Sequence, residues 1–158
     1  MTWYINGTEF TGTVVNVAFV DSGDGYDHDS LDAAVNAASD NTLFLLSEGK
    51  FYAAYNNYII VTGKTLYFRG IGSNPSDTVI YSGFFGNYFS NTGSHLYYEN
   101  LEIEAFSGYQ RGFNANPGST GIITANKCRV VADPATTPPS YHYSAGAGGG
   151  TWGTMNAV

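Results

Sequence analysis

Basic side chains are scarce in this chain, and charge of either sign is low. Only 12% of the 158 residues are charged, and six lysines and arginines stand against thirteen acids, which gives a formal net charge of -7. Affinity for nucleic acid depends on clusters of basic side chains that neutralise phosphates. The sequence contains no such cluster, and we therefore expect no nucleic-acid partner.

Cysteine and long apolar runs are scarce too. Cys128 is the single cysteine, which excludes an intrachain disulfide framework and predicts a small buried hydrophobe in a strand. No apolar run approaches the roughly 18 residues that a membrane helix needs, so we expect no membrane insertion. The opening MTWYINGTEF has neither the basic nor the apolar region of a secretory signal, and we expect synthesis without a recognisable signal peptide.

Glycine and aromatic residues are abundant instead. The chain has twenty glycines, and 16% of its residues are aromatic. Short apolar runs alternate with turns rich in Gly, Asn and Ser, which is the pattern of short β-strands. One helix is predicted over residues 30–39, with Asp29 or Ser30 as its N-cap. Its apolar face has helical spacing: Leu31, Ala34, Val35 and Ala38.

The strands after the helix fall into two tracks that recur in the same order along the chain. The first track contains residues 43–46, 66–68, 96–98 and 122–124. The second contains residues 59–61, 79–81, 101–104 and 128–131. Repeated short strands of this kind predict an all-β fold, a short parallel β-helix of about four coils that helix 30–39 caps at its N-terminal end.

The chain divides into three parts on this interpretation. Residues 1–22 are predicted to form an N-terminal β arm, with a hairpin turn at Asn6-Gly7. Residues 23–133 form the β-helix. Residues 134–158, rich in Pro and then in Gly, form an extended C-terminal arm.

Residues 23–80 resemble the opening of the pectin methylesterases and the wider pectin-lyase-like family. The matching motifs are a Gly/Asp-rich lead, an AAV helix, the turn Glu48-Gly49-Lys50-Phe51 and the segment KTLYFRGIGSNPSDTVI over residues 64–80. The resemblance implies a right-handed parallel β-helix and, more distantly, carbohydrate as substrate or partner. It is confined to the N-terminal coils for the most part.

The catalytic pattern of that family is mostly absent. Gly108-Tyr109-Gln110 matches the start of the esterase motif GYQDT, but Arg111 stands where the family has Asp. Gln110 is therefore a weak catalytic candidate as an oxyanion-type donor. Glu102 and Glu104 form a second candidate, since alternate residues of a strand place carboxylates about 6.6 Å apart. A solvated strand face gives the same pattern, and we identify no catalytic set.

The loop before the helix carries four acids that could ligate a hard cation such as calcium: Asp21, Asp24, Asp27 and Asp29. Their spacing differs from that of an EF-hand, and a solvated turn explains it equally well. The three histidines are scattered and do not have zinc spacing. We expect no cofactor, with calcium as the alternative.

The aromatic residues exceed what a narrow β-helix core can hold, so some must be exposed or covered by another chain. Such patches predict protein–protein interfaces, and tyrosines in a polar setting also stack on sugars. The candidate interface residues are Tyr55, Tyr58, Phe84, Phe85, Tyr88, Phe89, Tyr97, Tyr98 and Trp152.

These features predict a non-enzymatic structural or attachment protein of an extracellular assembly. A bacteriophage virion component, such as a capsid decoration protein or a short spike, fits them best. We expect self-association, as a homotrimer, with other virion proteins and surface polysaccharide as further partners. A carbohydrate-active esterase or lyase and a non-catalytic sugar-binding module are the alternatives.

Overall fold

The computed structural model describes residues 1–53, 59–82, 89–92, 95–105, 122–132 and 152–157. The described part is mostly β, with one large parallel sheet and one α-helix. Its elements in chain order are β1 (Tyr4–Ile5), β2 (Thr8–Glu9), β3 (Thr13–Val17), α1 (Ser30–Ala37), β4 (Thr42–Leu46), β5 (Gly49–Ala53), β6 (Ile59–Thr62), β7 (Thr65–Gly70), a 3-10 turn (Pro75–Asp77), β8 (Thr78–Ser82), β9 (Phe89–Thr92), β10 (His95–Glu99), β11 (Glu102–Ala105), β12 (Ile122–Ala132) and β13 (Trp152–Ala157).

Parallel strands β3, β4, β7, β10 and the first half of β12 form what we call the first ladder. Its register places Phe44 beside Phe68, Phe68 beside Tyr98, and Tyr98 beside Ala125. The first predicted track is therefore confirmed, and β3 and β13 add a strand at each end. Strand β3 thus belongs to the ladder although it lies within the arm predicted over residues 1–22.

Parallel strands β5, β8, β11 and the second half of β12 form the second ladder. The register aligns Phe51 with Ile80, Ile80 with Ile103, and Ile103 with Val130. The second predicted track is confirmed except in its first member. Residues 59–61 were the wrong choice, because β6 pairs with β9 in a separate two-stranded sheet. Strand β5 takes the place in the ladder, and its Phe51 is fully buried.

Both ladders and the helix line one hydrophobic core. Phe44, Phe68 and Tyr98 stack along its length, with 5.1 Å between the ring centroids of each neighbouring pair. Leu101 and Ile103 are fully buried, as expected from their alternation with Glu102 and Glu104 along the chain. The prediction that Tyr98 is an interface residue is wrong, because Tyr98 is 2% exposed within this stack.

Residues in the left-handed region turn the chain from the first ladder into the second. Asn100 has φ 51° between β10 and β11, and Lys127 has φ 50° within β12. The Asn100 side chain donates to the carbonyl oxygens of Gly70, at 3.0 Å, and Gly72, at 2.9 Å. Gly70 must lack a side chain, because a Cβ there would lie 2.2 Å from the Asn100 carbonyl oxygen.

Helix α1 is shorter than predicted and is capped differently. It ends at Ala37, since Ala38 has extended backbone angles. Leu31 and Val35 are buried and Ala34 and Ala38 pack against the core, which confirms the apolar face. Within the described residues the Asp29 side chain makes no capping hydrogen bond. Oδ1 of Asp27 instead accepts hydrogen bonds from the backbone amides of Asp29 and Ser30, where the helix begins.

The N-terminal hairpin packs against the outer face of the first ladder. Asn6 and Gly7 have φ 50° and 81°, as a type I′ turn requires, and they connect β1 to β2 as predicted. Phe10 contacts the ring of Tyr67 edge-on, with 5.2 Å between centroids. The Arg69 guanidinium donates to the Tyr4 carbonyl oxygen at 2.6 Å. Tyr67 and Arg69 thus hold the hairpin on the sheet.

Cys128 is 6% exposed, which confirms the prediction of a buried cysteine, and burial raises the pKa of its thiol to about 11. Since the thiolate is the reactive form, we expect alkylation of the folded protein at pH 8 to be at least 100-fold slower than alkylation in urea. Stopped aliquots followed by mass spectrometry measure both rates. Equal rates would show that this strand is open to solvent.

Candidate functional site

A groove of about 290 Å³ lies between the N-terminal hairpin and the outer face of the first ladder. We call it the hairpin groove. Tyr67 and Tyr97 form part of its wall, Phe10 closes one side, and Asn6, Glu9 and Asn41 provide polar groups. The groove thus combines aromatic rings with hydrogen-bonding side chains.

The two tyrosines are in the groove because side chains alternate between the two faces of a strand and because β7 and β10 pair in a fixed register. Leu66 and Phe68 point into the core, so Tyr67 between them points outward. Its register partner on β10 is Tyr97, and the two rings stack with 4.6 Å between centroids and 12° between planes. His95 stacks on Tyr97 at 3.9 Å, so the ring faces are largely covered and the phenol edges are presented.

Tyr67, Tyr97 and His95 are uncharged near neutral pH. Burial, together with the neighbouring Tyr97 and Asp40, raises the pKa of Tyr67, and burial raises that of Tyr97. Burial lowers the pKa of His95, which favours the neutral imidazole. Both phenols therefore remain protonated in the physiological range, where each can donate and accept a hydrogen bond.

Several polar side chains of the groove have no protein partner. In the described ranges, the side chains of Asn6, Glu9 and Asn41 and the hydroxyls of Tyr67 and Tyr97 make no hydrogen bond to another residue. Among the described lining residues there is no Lys or Arg. The described lining therefore presents amide, phenol and carboxylate groups to a ligand.

Arg69 fixes the hairpin wall of the groove. Its Nε donates to the Glu99 carboxylate at 2.7 Å, and its Nη2 contacts the same carboxylate oxygen. Nη2 also holds the Tyr4 carbonyl, and the guanidinium lies 5.8 Å from the centroid of the Trp3 ring. One cation thus links two strands of the ladder side to the hairpin.

The two acids of β11 do not form a free carboxylate pair. Glu102 is 7% exposed and accepts from Arg129 Nη1 at 2.9 Å, while Glu104 lies 3.4 Å from Lys50 Nζ. The solvated setting predicted for Glu102 is therefore wrong, because the register aligns it with Arg129 on β12. Glu102 binds a cation of the neighbouring strand β12, and Glu104 binds one of β5, which lies beyond β8.

The acidic loop is organised by its own backbone amides. Asp27 is 2% exposed, and its Oδ2 accepts from Val20 N at 2.8 Å. Its Oδ1 accepts from Ser30 N at 2.8 Å and Asp29 N at 3.1 Å. Burial opposes ionisation, but these amide bonds outweigh it and lower the pKa of Asp27. Three backbone amides thus stabilise the ionised Asp27 carboxylate, as a bound cation would.

The other loop acids are likewise engaged locally. Asp21 Oδ1 accepts from the amides of Gly23 and Gly25. Asp24 contacts His28 Nε2 at 2.9 Å, and this bond lowers the pKa of its carboxyl. Within the described ranges, no three His, Cys, Asp or Glu side chains come together in a way that could hold a metal ion.

A second aromatic surface, which the sequence reasoning missed, covers the outside of the second ladder. Tyr52 and Tyr81 are register partners with ring centroids 4.9 Å apart, and Tyr26 lies 5.0 Å from Tyr81. His28 stacks on Tyr52 at 5.1 Å. We call these four residues the tyrosine cluster. The sequence contained one signal for this surface: side chains alternate along β5, so Tyr52 must point outward if Phe51 points into the core.

The remaining candidate residues cannot be placed in either surface. Phe89 and Trp152 lie in β9 and β13, but their side chains are not described. Six further candidates lie outside the described residues: Tyr55, Tyr58, Phe84, Phe85, Tyr88 and Gln110. Of the predicted interface residues, Tyr97 is the one that the described structure places in a groove wall.

Comparisons of the chain with protein-family models, with curated proteins and with solved structures found no match. In the described part of the chain, no helix has the length and apolar character needed to cross a membrane. The two outer surfaces are the features of the described structure from which a function can be inferred.

Proposed function

We propose that the two ladders and α1 form a short right-handed parallel β-helix of about four coils, with the helix as its N-terminal cap. The ladders share β12, contribute side chains to one core, and are visited in the same order on successive passes of the chain. A single coil would not fold alone, because ordering its backbone costs more than its few buried side chains contribute. The stacked coils provide a rigid scaffold with two outer faces.

We further propose that the protein is a non-enzymatic structural or attachment component of an extracellular assembly, such as a capsid decoration protein or short spike of a bacteriophage. The observation that carries this proposal is the tyrosine cluster on the outside of the second ladder. Tyrosine is enriched at protein interfaces, because it combines a large apolar area with a polar end. The acids nearby, Glu102 and Glu104, are paired with cations instead of forming a catalytic pair.

We expect the protein to form a homotrimer through this cluster, and sedimentation equilibrium measures its mass directly. Tyr52→Ser should weaken the association at least tenfold, since aromatic residues dominate interface energies. Tyr4→Ser is the matched control, because Tyr4 is an exposed tyrosine, 54% accessible, in the hairpin that Arg69 holds on the first ladder. A well-folded protein that is strictly monomeric and has no affinity for virus particles would contradict the proposal.

A further inference from the structure

We propose that the hairpin groove binds an uncharged saccharide. The proposal deepens the function above, since an attachment protein must recognise a surface, and it rests on that function only for its biological setting. The support for the groove as a binding site is a set of polar side chains that make no hydrogen bond to another residue in the described part of the chain.

The chemistry of the polar groups selects the ligand class. Asn6 and Asn41 each offer an amide donor and acceptor, Tyr67 and Tyr97 each offer a hydroxyl, and Glu9 offers a carboxylate. Sugar hydroxyls donate and accept at closely spaced positions, so one ring can pair with several of these groups at once. The ring of Phe10 offers an apolar surface for the C–H groups of the same sugar ring.

Charge excludes the acidic alternatives. The lining includes Glu9, Asp40 is close enough to Tyr67 to raise its pKa, and the described lining contains no cation to pair with a carboxylate or phosphate. An acidic saccharide would have to place its charge beside these carboxylates without a partner, which is unfavourable. We therefore expect neutral sugars to bind and uronic or sialic acids to be rejected.

Size and rigidity are consistent with this ligand. A volume of about 290 Å³ is at the lower end of small-molecule sites and suits a mono- or disaccharide unit. The sheet fixes Tyr67 and Tyr97, and Arg69 fixes the hairpin that forms the opposite wall. Little ordering is then required on binding, which favours affinity.

The test is an array that displays neutral oligosaccharides beside their uronate and sialylated counterparts, followed by calorimetry of the full chain with the best neutral binder. We expect Glu9→Gln to weaken binding at least tenfold, since it removes a charge-assisted bond, and Tyr97→Phe to weaken it about fivefold. Tyr4→Phe removes the same hydroxyl from an exposed tyrosine outside the groove lining, keeps the backbone carbonyl that binds Arg69, and should leave saccharide binding unchanged. All three positions are exposed or half-buried, and circular dichroism checks their folding.

Three results would overturn the proposal: no binding to any neutral glycan, preference for acidic glycans, or binding that Glu9→Gln and Tyr97→Phe leave unchanged. The mass measurement separates this proposal from the proposed function. Loss of saccharide binding with the trimer intact contradicts only the groove, whereas saccharide binding by a strict monomer without particle affinity contradicts only the assembly.

Discussion

Replacing Phe68 with alanine is expected to lower the free energy of unfolding by about 4 kcal/mol. Phe68 is 1% exposed and lies between Phe44 and Tyr98 in the ring stack of the core. Its removal leaves a cavity in the middle of the first ladder, where the neighbours on both sides are held by strand pairing and cannot collapse inward. Urea unfolding followed by circular dichroism measures the loss.

Tyr67→Ala is the matched control for this substitution. It truncates the adjacent residue of the same strand, which points outward and is half-buried in the groove wall. We expect a loss of about 1 kcal/mol, mainly from its stacking on Tyr97. Equal losses for the two variants would contradict the assignment of inner and outer faces.

Replacing Asp27 with asparagine is expected to cost about 3 kcal/mol at pH 7. Both carboxylate oxygens of Asp27 accept backbone amides, so the NH2 group of asparagine must face either Val20 N–H or the amides of Asp29 and Ser30. Asp21→Asn is the control, because Asp21 uses only Oδ1 for its two amide bonds and an amide oxygen can keep both. We expect that change to cost under about 0.5 kcal/mol.

The cost of Asp27→Asn should depend on pH in a defined direction. The pKa of Asp27 is lowered in the folded state below its ordinary value of 3.8. Its contribution is therefore fully present above that value and is lost as the pH falls through the folded-state pKa. The difference in unfolding free energy between wild type and variant should shrink below pH 4. A difference that is constant from pH 7 to pH 3 would contradict the role given to the ionised carboxylate.

The sequence predicted β7 and β10 of the first ladder well because these two strands have clear alternation. Leu66 and Phe68 share a face, as do Leu96 and Tyr98, and each pair is buried. The same parity should have placed Tyr98 inside and Tyr97 outside, so the error for Tyr98 came from reading the Tyr-Tyr pair as one aromatic patch. The three consecutive apolar residues at 59–61 have no alternation, and their pattern could not show which sheet they join.

The site was less predictable because it depends on contacts between distant segments. The alternation of β11 correctly predicted that Glu102 points outward. It could not reveal the ion pair with Arg129, which lies on β12, a strand further along the chain. The hairpin groove depends on Arg69 holding the Tyr4 carbonyl, a contact with a backbone atom that no residue pattern reveals. In the tyrosine cluster, Tyr26 of a loop contacts Tyr52 and Tyr81, which meet because their two strands pair in this register.

Both outer surfaces follow from the parallel pairing of the strands in the two ladders, which is the central claim. The most direct measurement is a set of nuclear Overhauser contacts in the isotope-labelled protein. We predict contacts between the rings of Phe44 and Phe68 and between those of Phe68 and Tyr98, with the backbone pattern of parallel strands between β7 and β10. Close Hα–Hα contacts between β7 and β10, as antiparallel strands give, or the absence of the ring contacts, would contradict the claim.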